Sequence, residues 1–363
     1  MLKDHVFLKI DRYIMRQFLF GIFPVLFLLL ALFSFMALAE QLENVGKGNF
    51  RMPDALMIVF LTTPKRIVEL LPVTALLGGL LGLGAMANSH ELMAIRSAGL
   101  SKRRIGLTVS FLAFLLGICI TLLQFFVVPG FEREAAHLHG KTLQQSGKGA
   151  QTSGAFWTRN GAFFIRVNEV KFDRTLADIE IYSVNEDGSL SQLLQAGSAD
   201  YAGDDNWLLS DVVNSELQQT QLQETTLDSM LWKNLLSADQ ASVLILPLEA
   251  LAPNDLVRTI ANLRSNQLDT HTYEIVFWQQ VSLLPGLLAM ALLSLPFLLG
   301  ATRSVSASQR AMVGGLIGIG FYLVQQLSGH LAGLLGMNPA LVIMTPSVLL
   351  LGVAIAAIRH RHL

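Results

Sequence analysis

Charge is scarce in this sequence. Of its 363 residues only 15% are Asp, Glu, Lys or Arg, whereas 52% are hydrophobic, and the mean hydropathy is +0.50. Soluble chains carry about 25% charged residues, so an ordinary soluble protein of this size is excluded. Cysteine is scarcer still: Cys119 stands alone, so no internal disulfide can form, and we interpret it as a small apolar residue. The composition predicts a membrane protein.

The few charges are unevenly distributed. Residues 132–274 hold 20 of the 27 acidic and 10 of the 26 basic side chains, which leaves 7 acidic and 16 basic ones for the other 220 residues. No segment is basic enough to bind the phosphates of a nucleic acid, so nucleic acid is excluded as a partner. The distribution predicts one water-exposed block between two membrane-embedded parts.

Long uncharged runs define the membrane-embedded parts. A helix needs about 20 apolar residues to cross the hydrocarbon core of a bilayer. The last run contains 48 residues and has polar and helix-breaking residues near 334–339, so it predicts two crossings joined by a short turn. The runs at 17–39, 70–87, 105–131, 275–302 and 311–358 therefore predict six transmembrane helices, three on each side of the polar block.

Basic residues indicate the orientation of these helices, because loops rich in Lys and Arg remain in the cytoplasm. They are Lys3, Lys9, Arg12 and Arg16 before the first span, Arg96, Lys102, Arg103 and Arg104 between the second and third, Arg303 and Arg310 between the fourth and fifth, and Arg359 and Arg361 after the sixth. We predict that both termini are cytoplasmic and that residues 132–274 are external.

The external block has the pattern of a β domain, since alternation of apolar and polar residues is typical of strands with one buried face. Such segments occur at 162–170 and 178–184, with a turn at 185–188, and 207–213 and 242–246 are further strand candidates. The predicted fold is an α-helical polytopic membrane protein with an inserted β-jellyroll-like domain. The predicted domains are 1–131, 132–274 and 275–363. The apolar strand face predicts an apolar channel inside the β domain.

Two motifs in the external block resemble nucleotide and metal sites without meeting their requirements. Residues 135–142 match a relaxed Walker A pattern around Lys141, but a membrane span precedes them instead of a β-strand, and no Walker B carboxylate follows. His137 and His139 lack further ligands at zinc spacing. We therefore predict no ATP hydrolysis, no metal and no catalytic residue in this chain.

Two spans carry glycines four residues apart, which lets helix backbones approach closely. These helix-packing candidates are Gly78 and Gly82 in the second span and Gly314 and Gly318 in the fifth. The two spans run in opposite directions, so an inverted repeat is the alternative to independent packing requirements.

The most informative segment is 88–100, which follows the second span on the cytoplasmic side. We predict a short helix there, with Asn88 as its cap and Gly99 as its stop, and Ser101 as the cap of the third span. Its candidate contact residues are Glu91, Leu92, Met93, Ile95 and Arg96. Either Glu91 caps an interfacial helix, or the helix docks into a groove of a soluble motor subunit with Glu91 as its polar contact.

External cations form the last group of candidate site residues. They are Lys47, Arg51, Lys65, Arg66 and Arg133. They are either contacts for an anionic substrate or ordinary anchors whose charged ends reach the membrane surface.

Four stretches of the sequence resemble the LptF/LptG permeases. These are Leu-Pro-Val-Thr-Ala-Leu-Leu-Gly-Gly-Leu-Leu-Gly-Leu-Gly at 71–84, Ser-His-Glu-Leu at 89–92 with Arg-Ser-Ala-Gly-Leu-Ser at 96–101, Asp-Arg-Tyr-Ile at 11–14, and Pro-Asn-Asp-Leu at 253–256. The resemblance extends over the whole chain. Residues 11–14 and 63–101 are more similar to LptG members than to LptF members.

The resemblance implies a subunit of an ABC exporter that extracts lipopolysaccharide from the inner membrane of Gram-negative bacteria. An LptB-like ATPase dimer, which uses ATP and Mg²⁺, would serve an LptF-like sister subunit and this chain, which binds no cofactor itself. The external domain, then periplasmic, would lead towards LptC-like and LptA-like proteins. Glu91 matches the glutamate that engages LptB, and Lys65 matches a basic residue facing the phosphates of the lipid. Ala37 and Gln280 stand where relatives can have lysine.

Three other classes remain as alternatives. One is an ABC permease that transmits force to a periplasmic partner without moving lipid, but such permeases usually have four spans. A membrane enzyme lacks a cluster of acid, base or metal ligands on one side; Ser97 and His330, for example, lie on opposite sides of the bilayer in the predicted topology. A scaffold without transport is the third.

Overall fold

The length of the apolar runs decides where the membrane-spanning helices of this chain form. The computed structural model describes residues 2–143, 156–160, 163–170, 175–185, 189–203, 206–218, 221–233, 235, 248, 251–265, 269–299 and 307–360. In these ranges six helices are long and apolar enough to cross a membrane, namely Lys9–Leu42, Thr63–Asn88, Lys102–Thr142, His271–Phe297, Ser308–Leu335 and Pro339–Arg359. The predicted six spans are confirmed, including the turn before Pro339 that divides the last apolar run.

The helices are numbered here in chain order. They are α1 Leu2–Leu42, α2 Met52–Leu61, α3 Thr63–Asn88, α4 Glu91–Ser97, α5 Lys102–Leu122, α6 Val128–Leu143, α7 Pro253–Ser265, α8 His271–Leu299, α9 Ala307–Leu335 and α10 Pro339–His360. A π-helical turn, Leu123–Val127, joins α5 to α6. The span Lys102–Thr142 therefore continues through α6 and, at 41 residues, is about twice as long as a bilayer requires.

The chain divides into two units. The helical unit contains residues 1–37, 63–127 and 274–363, and the β unit contains residues 38–62 and 128–273. The sequence placed residues 38–62 with the membrane part, and the packing corrects this. Phe50, Ala55 and Ile58 form a small buried core to which Leu38 and Leu138 of the same unit add their side chains. The short helix α2 thus belongs with α6.

The β unit is built on an antiparallel sheet. Its described strands are β1 Phe156–Asn160, β2 Phe163–Val170, β3 Leu176–Val184, β4 Leu190–Gly203, β5 Asn206–Gln218 and β6 Gln221–Lys233. They pair in chain order, so each described strand lies beside its sequence neighbour. The inserted β domain is confirmed. The predicted strand at 242–246 and most of the turn at 185–188 lie outside the described residues.

One face of the sheet is filled with apolar side chains. Ile165, Ile181 and Leu194 are paired across β2, β3 and β4 and are at most 1% exposed. Trp207 on β5 is fully buried in the same cluster. The predicted inward face of 162–170 therefore exists, and in the described residues it is packed by the sheet's own side chains.

Glycines set the closest helix contact in the helical unit. A Cβ atom added to Gly78 on α3 would lie 2.6 Å from the Cα of Ile22 on α1, and one added to Gly21 would lie 2.7 Å from the backbone nitrogen of Gly82. Backbone therefore touches backbone where α1 crosses α3. In α9, Gly314 and Gly318 instead receive side chains of α3, those of Leu80 and Val73.

Candidate functional site

Helix α4 lies between the second and third spans and has sharply defined ends. His90 precedes it with φ 61°, a left-handed conformation that turns the chain away from α3. Gly99, just after the C-terminal cap Ala98, has φ 100°, which a residue with a side chain adopts only with strain. The stop at Gly99 was predicted correctly, but the helix itself spans Glu91–Ser97 and is shorter than the predicted 88–100.

Asn88 does not cap α4, contrary to the prediction. It is the last residue of α3, and its side-chain Oδ1 accepts a hydrogen bond of 2.5 Å from Nη2 of Arg310, at the start of α9. Capping requires a free side-chain acceptor beside the helix start. Here a partner 222 positions away takes that acceptor, which the local pattern did not reveal.

The carboxylate of Glu91 accepts two hydrogen bonds from hydroxyl groups. The Tyr13 hydroxyl on α1 donates to Oε2 over 2.7 Å, and the Ser89 hydroxyl donates to Oε1 over 2.9 Å. Nε2 of Gln17 in turn donates to Oη of Tyr13 over 3.1 Å. No side-chain capping bond is present at the start of α4. Of the two predicted roles of Glu91, the cap is therefore not the one that this geometry supports.

A groove lies between residues 9–13 of α1 and helix α4. It has a volume of about 390 Å³ and is lined by Lys9, Ile10 and Tyr13 on one side and Glu91, Ala94 and Ile95 on the other. Most of the lining is apolar, with the Glu91 carboxylate as the fixed acceptor at its wall. An apolar side chain accompanied by a donor group is the chemistry that this arrangement accommodates.

The predicted contact residues of α4 differ in exposure. Leu92 is only 4% exposed and packs inside the helical unit, so it is not available as a docking contact, contrary to the prediction. Met93 is 52% exposed, Arg96 is exposed and Ile95 is partly exposed. Of the predicted contact residues, the accessible ones are therefore Met93 and Arg96 together with the partly exposed Glu91 and Ile95.

The start of the third span is tied to α1. Ser101 caps α5 as predicted, since its hydroxyl accepts a 3.3 Å hydrogen bond from the backbone N–H of Arg104. The guanidinium of Arg104 and the hydroxyl of Thr108 each donate over 2.9 Å to the Asp11 carboxylate on α1. Asp11 and Tyr13, two residues of the 11–14 motif, therefore fix α1 against α5 and α4.

The five candidate substrate cations are divided between the two units. Lys65 and Arg66 lie in the first turns of α3, half-buried, in the helical unit. Lys65 makes no hydrogen bond or ion pair with any described residue. Lys47, Arg51 and Arg133 are exposed and lie in the β unit.

Two of the three cations of the β unit contact neighbouring side chains. Lys47 donates to Oδ1 of Asn44 over 3.4 Å, and Arg133 forms a 3.3 Å ion pair with Asp255. The charge of Arg133 is thus partly compensated inside the chain. Because the Asp255 carboxylate already binds it, Arg133 is a weaker candidate for binding a phosphate than Lys65.

The Walker-like residues lie inside helix α6, which extends from Val128 to Leu143. A phosphate-binding loop requires a glycine-rich turn between a strand and a helix, so residues 135–142 do not have that geometry. In the ranges that the structure describes, no group of three or more His, Cys, Asp or Glu side chains is placed to hold a metal ion.

Comparison with known proteins gives a consistent result along the chain. Residues 12–360 match the model of the family described as lipopolysaccharide export system permease LptF/LptG. The lipopolysaccharide export system permease protein LptG of Haemophilus influenzae is 31% identical over 341 residues, which cover 94% of this chain and 95% of that protein. LptG of Escherichia coli K12 is 29% identical over 340 residues, which cover 93% of this chain and 94% of that protein.

Proposed function

The chain belongs to the LptF/LptG family of lipopolysaccharide export system permeases, and we propose that it is the LptG-type transmembrane subunit of an ABC exporter. In this role it extracts lipopolysaccharide from the inner membrane and passes it towards a periplasmic bridge and the outer membrane. The observation that carries the proposal is the extent of the family match, because residues 12–360 include all six spans and the inserted β domain. A permease that transmits force without moving lipid is not favoured, since the family is described by the lipid it exports.

A separate ATPase subunit supplies the energy in this proposal. Residues 135–142 form a regular helix and not a phosphate loop, so this chain offers no nucleotide site there. An LptB-like dimer that uses ATP and Mg²⁺ is therefore assigned to the docking surface of α4, and this chain binds no cofactor. An LptF-like sister permease and LptC-like and LptA-like periplasmic proteins complete the proposed set of partners.

The ATPase contact is assigned to Glu91, Met93, Ile95 and Arg96. A helix that presses into a groove of a partner needs apolar anchors and a polar contact that fixes its register. Met93 provides an exposed apolar anchor and Glu91 a carboxylate whose orientation is set by two hydroxyl donors. The same elements would carry motion of the ATPase into α3, through the two residues between Asn88 and Glu91.

The orientation follows from the basic residues around α4. The start of α1, the α4 region, Arg310 and Arg359 carry most of the cations of the helical unit, and the positive-inside rule assigns their side to the cytoplasm. Both termini are then cytoplasmic and the β unit is periplasmic. A multi-pass protein of the inner membrane with this orientation presents α4 to a cytoplasmic ATPase.

Lipopolysaccharide combines anionic phosphates with apolar acyl chains. In the proposed orientation, Lys65 and Arg66 begin the second span at its periplasmic end, where phosphates of an outer-leaflet lipid are found. Lys65 makes no hydrogen bond or ion pair with a described residue, so it gives up no contact with that part of the chain when it binds a phosphate, and charge-assisted hydrogen bonds are about twice as strong as neutral ones. Lys65 is therefore the first candidate phosphate ligand, with Arg66, Arg51, Lys47 and Arg133 as further candidates.

The proposal is tested by purifying the tagged chain from its own membranes under mild conditions. We expect an ATPase, a sister permease and bound lipopolysaccharide to co-purify, and reconstituted vesicles to release lipopolysaccharide to an added periplasmic acceptor only when ATP is supplied. Lys141→Ala serves as the matched control and should behave as wild type. Recovery of the complex with ATP-dependent activity but without lipid movement would favour the force-transmitting alternative.

A further inference from the structure

We infer that Tyr13 is a positioning residue for Glu91, so that the first turns of α1 form a functional part of the ATPase docking site. The inference rests on the proposed role of α4. It adds a group on a different helix, 78 positions away in the sequence, which determines how the Glu91 carboxylate is presented.

The geometry around Glu91 divides its carboxylate between two donors. Tyr13 donates to Oε2 over 2.7 Å, whereas the single proton of the Ser89 hydroxyl is shared between Oε1 of Glu91 and the backbone oxygens of Ala85 and Met86. Ser89 lies two residues before Glu91 and moves with it, whereas Tyr13 belongs to α1. The Tyr13 bond is therefore the one that orients the carboxylate relative to the membrane-embedded helices.

The phenol itself is held in place from several directions. Gln17, one turn later on α1, donates to its oxygen over 3.1 Å. Ile14 and Phe18 of the same helix are fully buried, and Asp11 is bound by both Arg104 and Thr108. Because α1 is anchored at each of these positions, the Tyr13 hydroxyl cannot follow Glu91 if the carboxylate rotates. An exposed carboxylate without this partner would sample several rotamers.

An oriented carboxylate binds a partner more tightly than a mobile one, because less side-chain freedom is lost on association. Tyr13→Phe removes the donor and keeps the ring that lines the groove. We expect it to weaken the affinity of the permease complex for its ATPase by about threefold to tenfold, the range expected for the freedom that one side chain loses on association. Expression, membrane insertion and the thermal unfolding midpoint should remain unchanged.

The experiment uses the purified permease complex in lipid nanodiscs, from which the co-purifying ATPase is stripped and to which it is added back. The concentration of ATPase that gives half-maximal binding is measured for the wild type, Tyr13→Phe, Glu91→Gln and the double variant. Tyr322→Phe is the matched control, since this exposed phenol makes no hydrogen bond with a described residue. Ser97→Ala, on α4, controls for the loss of a hydroxyl that contacts only the backbone oxygen of Ala94.

If Tyr13 acts through the Glu91 carboxylate, the double variant binds the ATPase no more weakly than Glu91→Gln alone, and the ATPase KM for ATP at saturation is unchanged. A double variant whose loss equals the product of the two single losses would overturn the inference, because Tyr13 would then act independently. Wild-type affinity of Tyr13→Phe beside a weakened Glu91→Gln would overturn it while leaving the proposed docking role intact. Wild-type affinity of Glu91→Gln would overturn both.

Discussion

The guanidinium of Arg310 donates a 2.5 Å hydrogen bond to the side-chain oxygen of Asn88, so the first turn of α9 holds the last residue of α3. Arg310 is only 7% exposed. The segment that precedes α4 is therefore fixed by the fifth span as well as by α1. Four elements, α1, α4, α5 and α9, thus make polar contacts around the proposed cytoplasmic end of the second span.

Arg310→Ala should destabilise the protein, because it removes the hydrogen bond from the guanidinium to the exposed Asn88 side chain and empties a buried site. The expected loss is about 1–3 kcal/mol, measured as a lower thermal unfolding midpoint in detergent. Arg310→Lys should fall between this variant and the wild type, since an ammonium keeps the charge without the planar fork of the guanidinium. Arg103→Ala, at an exposed position, is the control. Equal midpoints for the Ala variants at 310 and 103 would contradict the structural role of this bond.

Gly78→Ala should weaken the contact between α1 and α3. The added methyl group would lie 2.6 Å from the Cα of Ile22, so the backbones must separate, and overpacking of this kind costs about 1–3 kcal/mol. Gly315→Ala adds the same methyl group on α9, where no described atom outside the adjacent backbone of α9 lies within 4 Å. Replacing glycine inside a helix should there be neutral or stabilising, by up to about 1 kcal/mol. Thermal unfolding of both variants in the same detergent checks the difference in sign.

Met93→Asp and Leu92→Asp should fail in different ways although the positions are adjacent. Met93 is exposed, so its variant should be made and inserted at normal levels and should lose the ATPase during purification. Leu92 is buried, so a carboxylate there should reduce the amount of folded protein in the membrane. Immunoblotting of membranes together with the yield of co-purified ATPase separates the two results. Normal ATPase retention by Met93→Asp would remove Met93 from the docking surface.

Lys65→Gln should lower the amount of lipopolysaccharide that co-purifies with the complex by about threefold or more, because one charge-assisted contact to phosphate is lost. Lys65→Arg should retain most of the bound lipopolysaccharide, because arginine keeps the positive charge. Lys141→Ala, which removes an exposed lysine from α6, should have no effect on either bound lipid or ATP turnover. The bound lipid is quantified by mass spectrometry of the purified complexes. Equal lipid content in the Gln variant at 65 and the wild type would assign Lys65 to membrane anchoring.

The parts of this fold that the sequence predicted are those that depend on local composition. Six spans follow from apolar length alone, and the boundaries at Gly99 and Ser101 follow from a backbone conformation and a cap that act within three residues. Strands β2 and β3 were predicted because apolar and polar residues alternate in them, and β5 was a further strand candidate. Strands β1, β4 and β6 were not predicted. Runs such as Gln-Leu-Gln-Glu-Thr-Thr at 221–226 in β6 are mostly polar, and the pairing of these residues depends on the neighbouring strand.

The parts that the sequence did not predict depend on distant partners. Asn88 has every local property of a cap and is bound instead by Arg310. Tyr13 belongs to the 11–14 motif, but no spacing rule connects it to Glu91. Helix α2 has 10 residues, which is too short to cross a membrane. Its buried side chains pack against Leu138, which lies far along the chain. The burial of Leu92 follows from the path of α4 and not from its own periodicity.

The glycine contact between α1 and α3 has a mechanical consequence. Interdigitated side chains hold two helices in register. The side chains of Ile22 and Phe18 on α1 lie against Gly78 and Gly79 on α3, beside the backbone contact between Gly21 and Gly82. The bonds of Asp11 and Tyr13 hold α1 at its proposed cytoplasmic end as well. Movement of α1 along α3 would have to carry these side chains past the glycines, so we expect the two helices to move together.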